Sequence, residues 1–300
     1  METKTTIGPN YKHFVLFTLF LAWVLGGIDR TVISFAAIPI AKEFNIGQSE
    51  IGQVFSVFFF GYMLMQIPGG YLVDKFGPKK VLLVIVFVWS IFTGATGLVT
   101  GLTGLLIVRF VFGLAEAPFS AAAGVIIAQI YEAKDRGKAM SMYLSSSGVV
   151  MVFAPVIAAQ LIDAWGWRYL FYVLGGVGIF IVALFYYTFA GNKLEQARAL
   201  IANSQAAAGK VARPQAALGQ VLKIPMVWYL LIGNFAAYTL MWGLGSWMPK
   251  YLFEAYNLNI KAVGTWQMIP GFGSLAGFVA SGFIIDALSD MKNRITAVVL

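Results

Sequence analysis

Long apolar segments recur along the whole chain, and polar residues concentrate in the short gaps between them. The segments cover residues 14–40, 51–73, 81–100, 104–130, 139–162, 168–190, 224–252 and 262–285, and a ninth begins near residue 295. As a helix, a segment of about 20 residues crosses about 30 Å of hydrocarbon. Barrel strands are disfavoured, because they are about 10 residues long and alternate in polarity, whereas residues 81–89 are apolar throughout. The pattern predicts an all-α polytopic membrane protein.

Composition agrees with a membrane protein and limits the chemistry. Charged residues make up 11% of the chain, against roughly 25% in a soluble domain. The sequence has no cysteine, which excludes disulfides and thiolate metal sites, and its single His13 stands at the beginning of the first span, where an interfacial role is expected. No metal site and no cofactor are predicted. The first span is too long for the apolar region of a signal peptide, so we expect it to be retained.

Basic residues are divided unequally between the two sets of gaps. One set, together with the N-terminus, carries 15 of the 21 Lys and Arg residues, the other carries 4, and two lie within spans. Cytoplasmic loops carry the excess of Lys and Arg, so we expect a cytoplasmic N-terminus in the cell (inner or plasma) membrane. This anchoring explains the net charge of +8. No nucleic-acid partner is predicted, because no loop interleaves basic and aromatic residues.

The longest gap, residues 191–223, divides the chain and is predicted to be a cytoplasmic central loop. It separates residues 1–190, a six-helix bundle, from residues 224–300, which hold the seventh and eighth helices and the start of the ninth. A G-x-x-x-D sequence ends the second span (residues 70–74) and recurs at the end of the eighth (residues 282–286), as parallel repeats would require. We therefore expect a chain truncated within its ninth helix, with three or four spans missing; an eight- or nine-span protein is the alternative.

The loop after the second span resembles a known carrier signature. Residues 70–80 read Gly-Tyr-Leu-Val-Asp-Lys-Phe-Gly-Pro-Lys-Lys, similar to the sequence between the second and third helices of the major facilitator superfamily. The resemblance implies a fold of two six-helix bundles. It also implies a gating role for Gly70, Asp74, Lys75, Gly77, Lys79 and Lys80. The alternative is a solvated loop whose lysines anchor the membrane face.

Further motifs resemble the anion:cation symporter family within that superfamily. They are Gly27-Ile-Asp-Arg30, Gln66-Ile-Pro-Gly-Gly70, Arg109 with Glu116 seven residues later, and Gly166-Trp-Arg168. That family mostly moves sugar acids and related carboxylates with protons, so the resemblance implies import of a small organic anion. The fifth span carries only a degenerate form of the superfamily's antiporter pattern, around Gly148 and Pro155, which disfavours export by exchange.

Four ionisable residues lie within predicted spans, namely Asp29, Arg30, Arg109 and Glu116. Each costs roughly 2.5–3.5 kcal/mol at a helix centre, so we expect these residues to face one another or a wet cavity. Arg109 and Glu116 share a helix face two turns apart, whereas the adjacent Asp29 and Arg30 point about 100° apart. A guanidinium binds a carboxylate bidentately and stays charged, while a buried carboxyl group titrates. We predict that Arg30 and Arg109 bind substrate and that Asp29 and Glu116 couple protons. Two purely structural salt bridges are the alternative.

Other polar residues at helical spacing are cavity candidates. They are Tyr62 and Gln66 on the second span, Ser145 to Ser147 on the fifth, and Asn234, Tyr238 and Trp242 on the seventh. A spacing of four residues puts the last three on one face, where hydroxyl and amide groups suit a polyol chain. Ordinary packing and hydrogen bonding between helices is the alternative for each residue.

The predicted function is proton-coupled import of a sugar acid, such as a hexuronate, aldonate or aldarate, or of a related carboxylate, by alternating access. An enzyme is disfavoured, because the sequence has no H-E-x-x-H motif and only one histidine. The alternative function is a drug/proton antiporter for cationic or lipophilic compounds, against which the two buried arginines argue. We expect a monomer to be functional, with the organic anion, protons and the lipid bilayer as partners.

Overall fold

The computed structural model describes residues 10–132, 135–197, 199 and 223–287, with side chains except at residue 275 and residues 278–287. Regular structure in this part of the chain is α-helical. The helices are α1 (Tyr11–Glu43), α2 (Gln48–Phe76), α3 (Pro78–Thr96), α4 (Leu102–Glu116), α5 (Phe119–Ile130), α6 (Arg136–Leu144), α7 (Ser146–Thr188), α8 (Pro225–Ala255) and α9 (Ile260–Ala287). Six helical segments within the described residues are long and apolar enough to cross a membrane. The predicted all-α class is confirmed.

The predicted fourth span is interrupted once. It consists of α4, which ends at Glu116, and α5, which begins at Phe119. Pro118 has no N–H to donate, and its ring crowds the preceding turn, so the helical hydrogen-bond ladder breaks here. Ala117 N still donates to Gly113 O at 3.3 Å, so the two helices follow each other closely. The interruption leaves Glu116 at the end of a helix.

The predicted fifth and sixth spans meet at a sharp turn. α7 contains both, but Gly166 inside it has φ 81° and ψ 165°, which is not helical and splits α7 into residues 146–165 and residues 167–188. Glycine adopts a positive φ at little cost. The fifth span also has a break near its start, between α6 and α7, where Ser145 Oγ donates to Met142 O at 2.7 Å and Ser146 Oγ donates to Tyr143 O at 2.6 Å.

Glycines allow α2 and α4 to approach at backbone distance. A Cβ atom at Gly113 would collide with the Phe58 carbonyl group, and one at Gly61 would lie 2.5 Å from Phe110 O. Small residues at such crossings let helices pack closely in a membrane, where van der Waals contact replaces the hydrophobic effect between helices. The large buried side chains Trp89, Phe35 and Phe171 fill the spaces between the helices.

The two ends of the bundle are called inner and outer here, after the orientation predicted from Lys and Arg. The inner end carries residue 10 and the turn between α2 and α3; the outer end carries the turn between α1 and α2. The helices α8 and α9 contact the preceding helices in the outer and middle parts. Trp247 packs on Phe55, Trp242 packs on Phe59, and Lys261 Nζ lies 2.7 Å from Asp163 Oδ2. Residues 228–240, in the inner part of α8, are exposed.

Most of the predicted central loop and the predicted start of a ninth helix lie outside the described residues. Within the loop, residues 193–197 are helical. The division of the chain into an N-terminal bundle, a loop and a partial C-terminal bundle stays a prediction.

Candidate functional site

An ion pair between α1 and the end of α4 lies at the centre of the site. Arg30 Nε is 3.3 Å from Glu116 Oε1, with 11% of the Arg30 side chain exposed and none of Glu116. The N–H of Arg30 Nε is directed at Gly26 O, also at 3.3 Å. Neither carboxylate oxygen of Glu116 has a hydrogen-bond partner within the described residues, so the attraction between the two side chains is Coulombic.

Gly26 allows this ion pair to form. A Cβ atom at this position would lie 2.5 Å from Glu116 Oε1, which is shorter than a carbon–oxygen contact of about 3.3–3.6 Å. Only a residue without a side chain lets the carboxylate come so close to α1. The break at Pro118 lies two residues after Glu116 and ends α4 at this height.

Two tryptophans contact the Arg30 guanidinium. Arg30 Cζ lies 4.6 Å from the ring centroid of Trp23, which is on the same face of α1. It lies 5.8 Å from the ring centroid of Trp242 on α8. Both distances are within the range of cation–π attraction. The guanidinium therefore lies where α1 and α8 come together, next to a carboxylate from α4.

The other two charged residues of the predicted spans, Asp29 and Arg109, do not form an ion pair with each other. Asp29 Oδ2 accepts a hydrogen bond of 2.9 Å from Thr93 Oγ1 on α3, while Asp29 Oδ1 has no hydrogen-bond partner within the described residues. The Arg109 guanidinium lies over the rings of Phe171 (5.0 Å) and Phe112 (5.4 Å). Asp29 and Arg109 remain within electrostatic range of each other. Of the four charged residues predicted within spans, the structure pairs Arg30 with Glu116.

Both arginines line one narrow cavity. Its other lining residues are Ile33, Val54, Phe55, Phe58, Phe59 and Ser246. The cavity therefore lies between α1, α2, α4 and α8, and it contains polar groups from both predicted parts of the chain. Its volume is about 10 Å³, room for about one water molecule. A larger ligand would require the helices to move apart.

The remaining predicted binding residues are distributed unevenly around this cavity. Tyr62 is half-buried and interacts with the side chains of Gln66 and Ser120. Trp242 reaches Arg30, as described above. Asn234 and Tyr238 lie on the exposed inner part of α8, and Asn234 Nδ2 donates to Leu230 O on its own helix at 2.8 Å. Tyr62 and Trp242 thus lie near the charged residues, the exposed Gln66 interacts with Tyr62, and Asn234 and Tyr238 lie apart from them. A binding role for these five residues stays a prediction.

Among the candidate serines, two already use their hydroxyl groups. Ser145 is exposed and Ser146 is buried, and both donate to main-chain carbonyls at the break before α7. Ser147 is half-buried. The two hydroxyls stabilise the helix break.

The signature loop is connected to the segment that follows α7. Gly77, with φ 82° and ψ 148°, ends α2 and begins α3. Lys79 Nζ donates to Gly191 O at 3.2 Å and lies 3.9 Å from Glu195 Oε1. Gly70 is half-buried, and the side chains of Asp74, Lys75 and Lys80 are exposed. A gating role for these six residues stays a prediction.

The Gly166-Trp-Arg168 motif forms a polar cluster at the outer end. Arg168 donates to Gly97 O at 2.9 Å and Val99 O at 2.6 Å, and it pairs with Glu43 at 2.5 Å. Trp167 Nε1 donates to the same carboxylate at 2.7 Å. The motif thereby connects the end of α1, the turn between α3 and α4, and the second part of α7.

Sequence reasoning missed two residues that contact the charges, Trp23 and Thr93, and one that contacts Tyr62, namely Ser120. Trp23 stands seven residues before Arg30, the spacing of two helical turns, so the pair could have been found from the sequence. Thr93 and Ser120 stand in apolar runs, and their spacing to the charged residues gives no signal because they lie on other helices.

Comparison with known proteins identifies the class. The chain matches the Major Facilitator Superfamily over residues 19–300, and it belongs to that superfamily. The crystal structure of a bacterial homolog to the human lysosomal transporter Spinster, inward-facing and unoccupied, has a TM-score of 0.75 at 21% identity, covering 94% of this chain and 64% of that one. A D-xylose-proton symporter structure has a TM-score of 0.72 at 17% identity, covering 92% of this chain and 69% of that one. The predicted major facilitator fold is confirmed.

Curated relatives narrow the resemblance. A probable L-galactonate transporter of Escherichia coli (strain K12) is 30% identical over 95% of this chain and 64% of its own length. The probable galactarate/D-glucarate transporter GarP of the same strain is 29% identical over 94% and 68%, and a hexuronate transporter of Bacillus subtilis (strain 168) is 27% identical over 91% and 64%. The chain thus spans about two thirds of the length of these relatives. The resemblance to sugar-acid carriers is confirmed, and the family is one of transporters rather than enzymes.

Proposed function

We propose that the protein is a proton-coupled transporter that imports a small sugar acid, such as a hexuronate, aldonate or aldarate, by alternating access across the cell membrane. The observation that carries this proposal is the buried Arg30–Glu116 ion pair, which lies beside a cavity between the two predicted parts of the chain. The relatives named as galactonate, galactarate and hexuronate transporters support the substrate class.

Arg30 is the first binding group for the substrate carboxylate. Its guanidinium is held on Trp23 and lines the cavity. Glu116 Oε1 lies 3.3 Å from Arg30 Nε, and among the described residues neither Glu116 oxygen accepts a hydrogen bond. A substrate carboxylate that accepts two N–H bonds from the guanidinium would therefore replace Glu116 with a better contact. Arg109 lines the same cavity and supplies a second positive charge.

Glu116 and Asp29 are the groups that exchange protons. Both side chains are buried, so each is stable as an anion only while a cation or donor compensates its charge. Protonation of Glu116 frees Arg30, and protonation of Asp29 leaves Arg109 without its acidic neighbour. The four groups then carry two positive charges, which attract an organic anion.

Release follows from the same competition in reverse. When the loaded site opens toward the cytoplasm, loss of the protons restores the two carboxylates, and Glu116 competes with the substrate for Arg30. The anion is expelled as the internal ion pair forms again. Proton and substrate movements are therefore coupled because the Glu116 carboxylate and the substrate carboxylate compete for the Arg30 guanidinium.

The experiment is uptake into proteoliposomes by the full-length protein under an inward proton gradient. The substrates are hexuronates, aldonates, aldarates, dicarboxylates and aromatic acids, and the variants are Arg30→Ala and Glu116→Gln. We expect one carboxylate class to accumulate, an uncoupler to abolish accumulation, and both variants to lose it. Lys42→Gln is the matched control, because Lys42 is an exposed cation at the outer end.

Two results would contradict the proposal. Accumulation that survives both substitutions would show that the buried charges serve only to hold helices together. No uptake of any acid, together with efflux of cationic dyes, would favour the drug/proton antiporter.

A further inference from the structure

A buried tyrosine hydroxyl lies near the Arg30 guanidinium. Tyr143, in the last turn of α6, is 2% exposed, and its Oη has no hydrogen-bond partner within the described residues. Burying a hydroxyl without a hydrogen bond is unfavourable, and such groups are rare in folded proteins. An unpartnered buried hydroxyl near the Arg30 guanidinium is available to bind a group of a ligand that Arg30 holds.

Aromatic packing connects Tyr143 to the Arg30 guanidinium. The Tyr143 ring lies 5.6 Å from the ring of Trp23, inclined at 40°, and Trp23 is the indole on which Arg30 rests at 4.6 Å. The Tyr143 hydroxyl is within electrostatic range of Arg30, Tyr62 and Glu116. α6 thus adds a polar group to a site otherwise formed by α1, α2, α4 and α8.

The tyrosine is held in this position from both sides. Ser146 Oγ donates to the Tyr143 carbonyl at 2.6 Å across the helix break, which fixes the main chain. Phe119 stacks on Trp23 at 5.6 Å with an angle of 14°, which fixes the indole against which the ring packs. The position of the hydroxyl is therefore set by packing, since among the described residues it has no hydrogen bond of its own.

We propose that the Tyr143 hydroxyl binds a hydroxyl group of the substrate's carbon chain and thereby selects hydroxylated acids over their deoxy analogues. This inference rests on the proposed transport of sugar acids. With the substrate carboxylate on Arg30, the carbon chain extends beside Trp23 toward Tyr143. A phenol both donates and accepts a hydrogen bond, as does a sugar hydroxyl. A site built to hydrogen-bond a hydroxyl discriminates strongly against ligands that lack it.

Tyr143→Phe in the full-length protein tests the proposal, because it removes only the oxygen. We measure KM and maximal uptake rate for the sugar acid that the unmodified protein takes up and for each of its monodeoxy analogues. We expect KM for the parent acid to rise about tenfold, with little change in maximal rate. For the one analogue that lacks the contacted hydroxyl, KM should be the same in Tyr143→Phe as in the unmodified protein.

Thermal unfolding separates binding from a structural role. Since the hydroxyl makes no bond within the described residues, Tyr143→Phe should keep the Tm of the substrate-free protein and lose part of the stabilisation by substrate. Tyr172→Phe is the control, because the Tyr172 hydroxyl donates to Gly97 O at 2.8 Å at the outer end. That control should lower Tm and leave the selectivity among deoxy analogues unchanged.

Three outcomes would overturn the assignment. A lower Tm for Tyr143→Phe with unchanged KM would make the hydroxyl structural. An equal rise in KM for the parent acid and all analogues would mean that the ring acts only through Trp23 and Arg30. An unmodified protein that moves no sugar acid would overturn both this inference and the proposed function, whereas the first two outcomes leave the proposed function intact.

Discussion

Replacing Gly26 by alanine should weaken the Arg30–Glu116 ion pair without removing either charge. The new Cβ atom would lie 2.5 Å from Glu116 Oε1 and 3.5 Å from Trp89 Cη2. Because a carbon–oxygen contact needs about 3.3–3.6 Å, the carboxylate must move about 1 Å away from α1. The separation between Arg30 Nε and Glu116 Oε1, now 3.3 Å, would then grow to about 4.3 Å.

The change in separation sets the size of the effect. At an effective dielectric constant of about 20, lengthening the separation of two unit charges by this amount removes about 1 kcal/mol of attraction. That corresponds to about a fivefold change in an equilibrium constant. Since the substrate carboxylate competes with Glu116 for Arg30, KM should fall about fivefold. Maximal uptake should also fall, because release of the anion requires the weakened internal pair to form again.

Proteoliposome uptake under a fixed inward proton gradient measures both quantities. Gly176→Ala is the control, because a Cβ atom at Gly176 on α7 meets nothing within 4 Å. Thermal unfolding of each variant shows whether the helix packing is intact. If Gly26→Ala keeps the Tm of the unmodified protein and KM is unchanged or higher, competition between Glu116 and the substrate for Arg30 is refuted.

Three further predictions concern other contacts of the buried charges and the outer end. Thr93→Val removes the 2.9 Å hydrogen bond to Asp29. Because it leaves a buried carboxylate oxygen unpaired, it should cost about 1–3 kcal/mol of stability in unfolding experiments. Equal stability in Thr93→Val and in Thr96→Val, whose hydroxyl donates to Phe92 O on its own helix, would contradict this. Arg168→Lys cannot reproduce the fork that binds Gly97 O, Val99 O and Glu43, and it should lower Tm by several degrees, whereas Lys42→Gln should not. Lys261→Asp places like charges at the 2.7 Å contact with Asp163. A cysteine introduced at Phe55 should then react faster with a membrane-impermeant maleimide; the 300-residue sequence has no cysteine of its own. Adding Asp163→Lys to Lys261→Asp should restore protection of the cysteine from the maleimide, by an amount corresponding to about 0.2–1 kcal/mol for an exposed pair. Equal labelling of the single and double variants would refute a role for this contact in closing the outer end.

Most of the fold could be predicted from the sequence, because the bilayer imposes length and apolarity on every span. The helices α1 and α2 extend the predicted spans 14–40 and 51–73 by about one turn at each end. The break at Pro118 was not predicted within the span 104–130, although a proline inside a long apolar run is a signal for such a break. The break before α7 has no such signal, because Ser145 and Ser146 are compatible with a helix and interrupt it only through the carbonyl groups that their hydroxyls bind.

The candidate site could be predicted in its charges but not in its pairing. Buried ionisable residues stand out in an apolar sequence, so Asp29, Arg30, Arg109 and Glu116 were identified. Which acid meets which base depends on how close the helices come, and here that distance is set by the missing side chain of Gly26.

Aromatic residues of the site give no such signal. Trp23 and Tyr143 look like ordinary membrane-helix residues, and their roles depend on stacking between α1 and α6. Asn234 and Tyr238 have the spacing of a polar face and lie on the exposed inner part of α8, so a binding role for them stays a prediction. Helical spacing gives the face on which a residue lies, not the neighbour that the face meets.

Simultaneous recording of substrate and proton entry tests the central claim most directly. Proteoliposomes containing the full-length protein and an internal pH indicator receive a sugar acid at equal pH on both sides of the membrane. We predict that the interior acidifies in step with uptake of the radiolabelled acid, that Glu116→Gln abolishes acidification, and that Arg30→Lys weakens both signals together. Uptake of the acid without acidification, or acidification that persists in Glu116→Gln, would contradict the account.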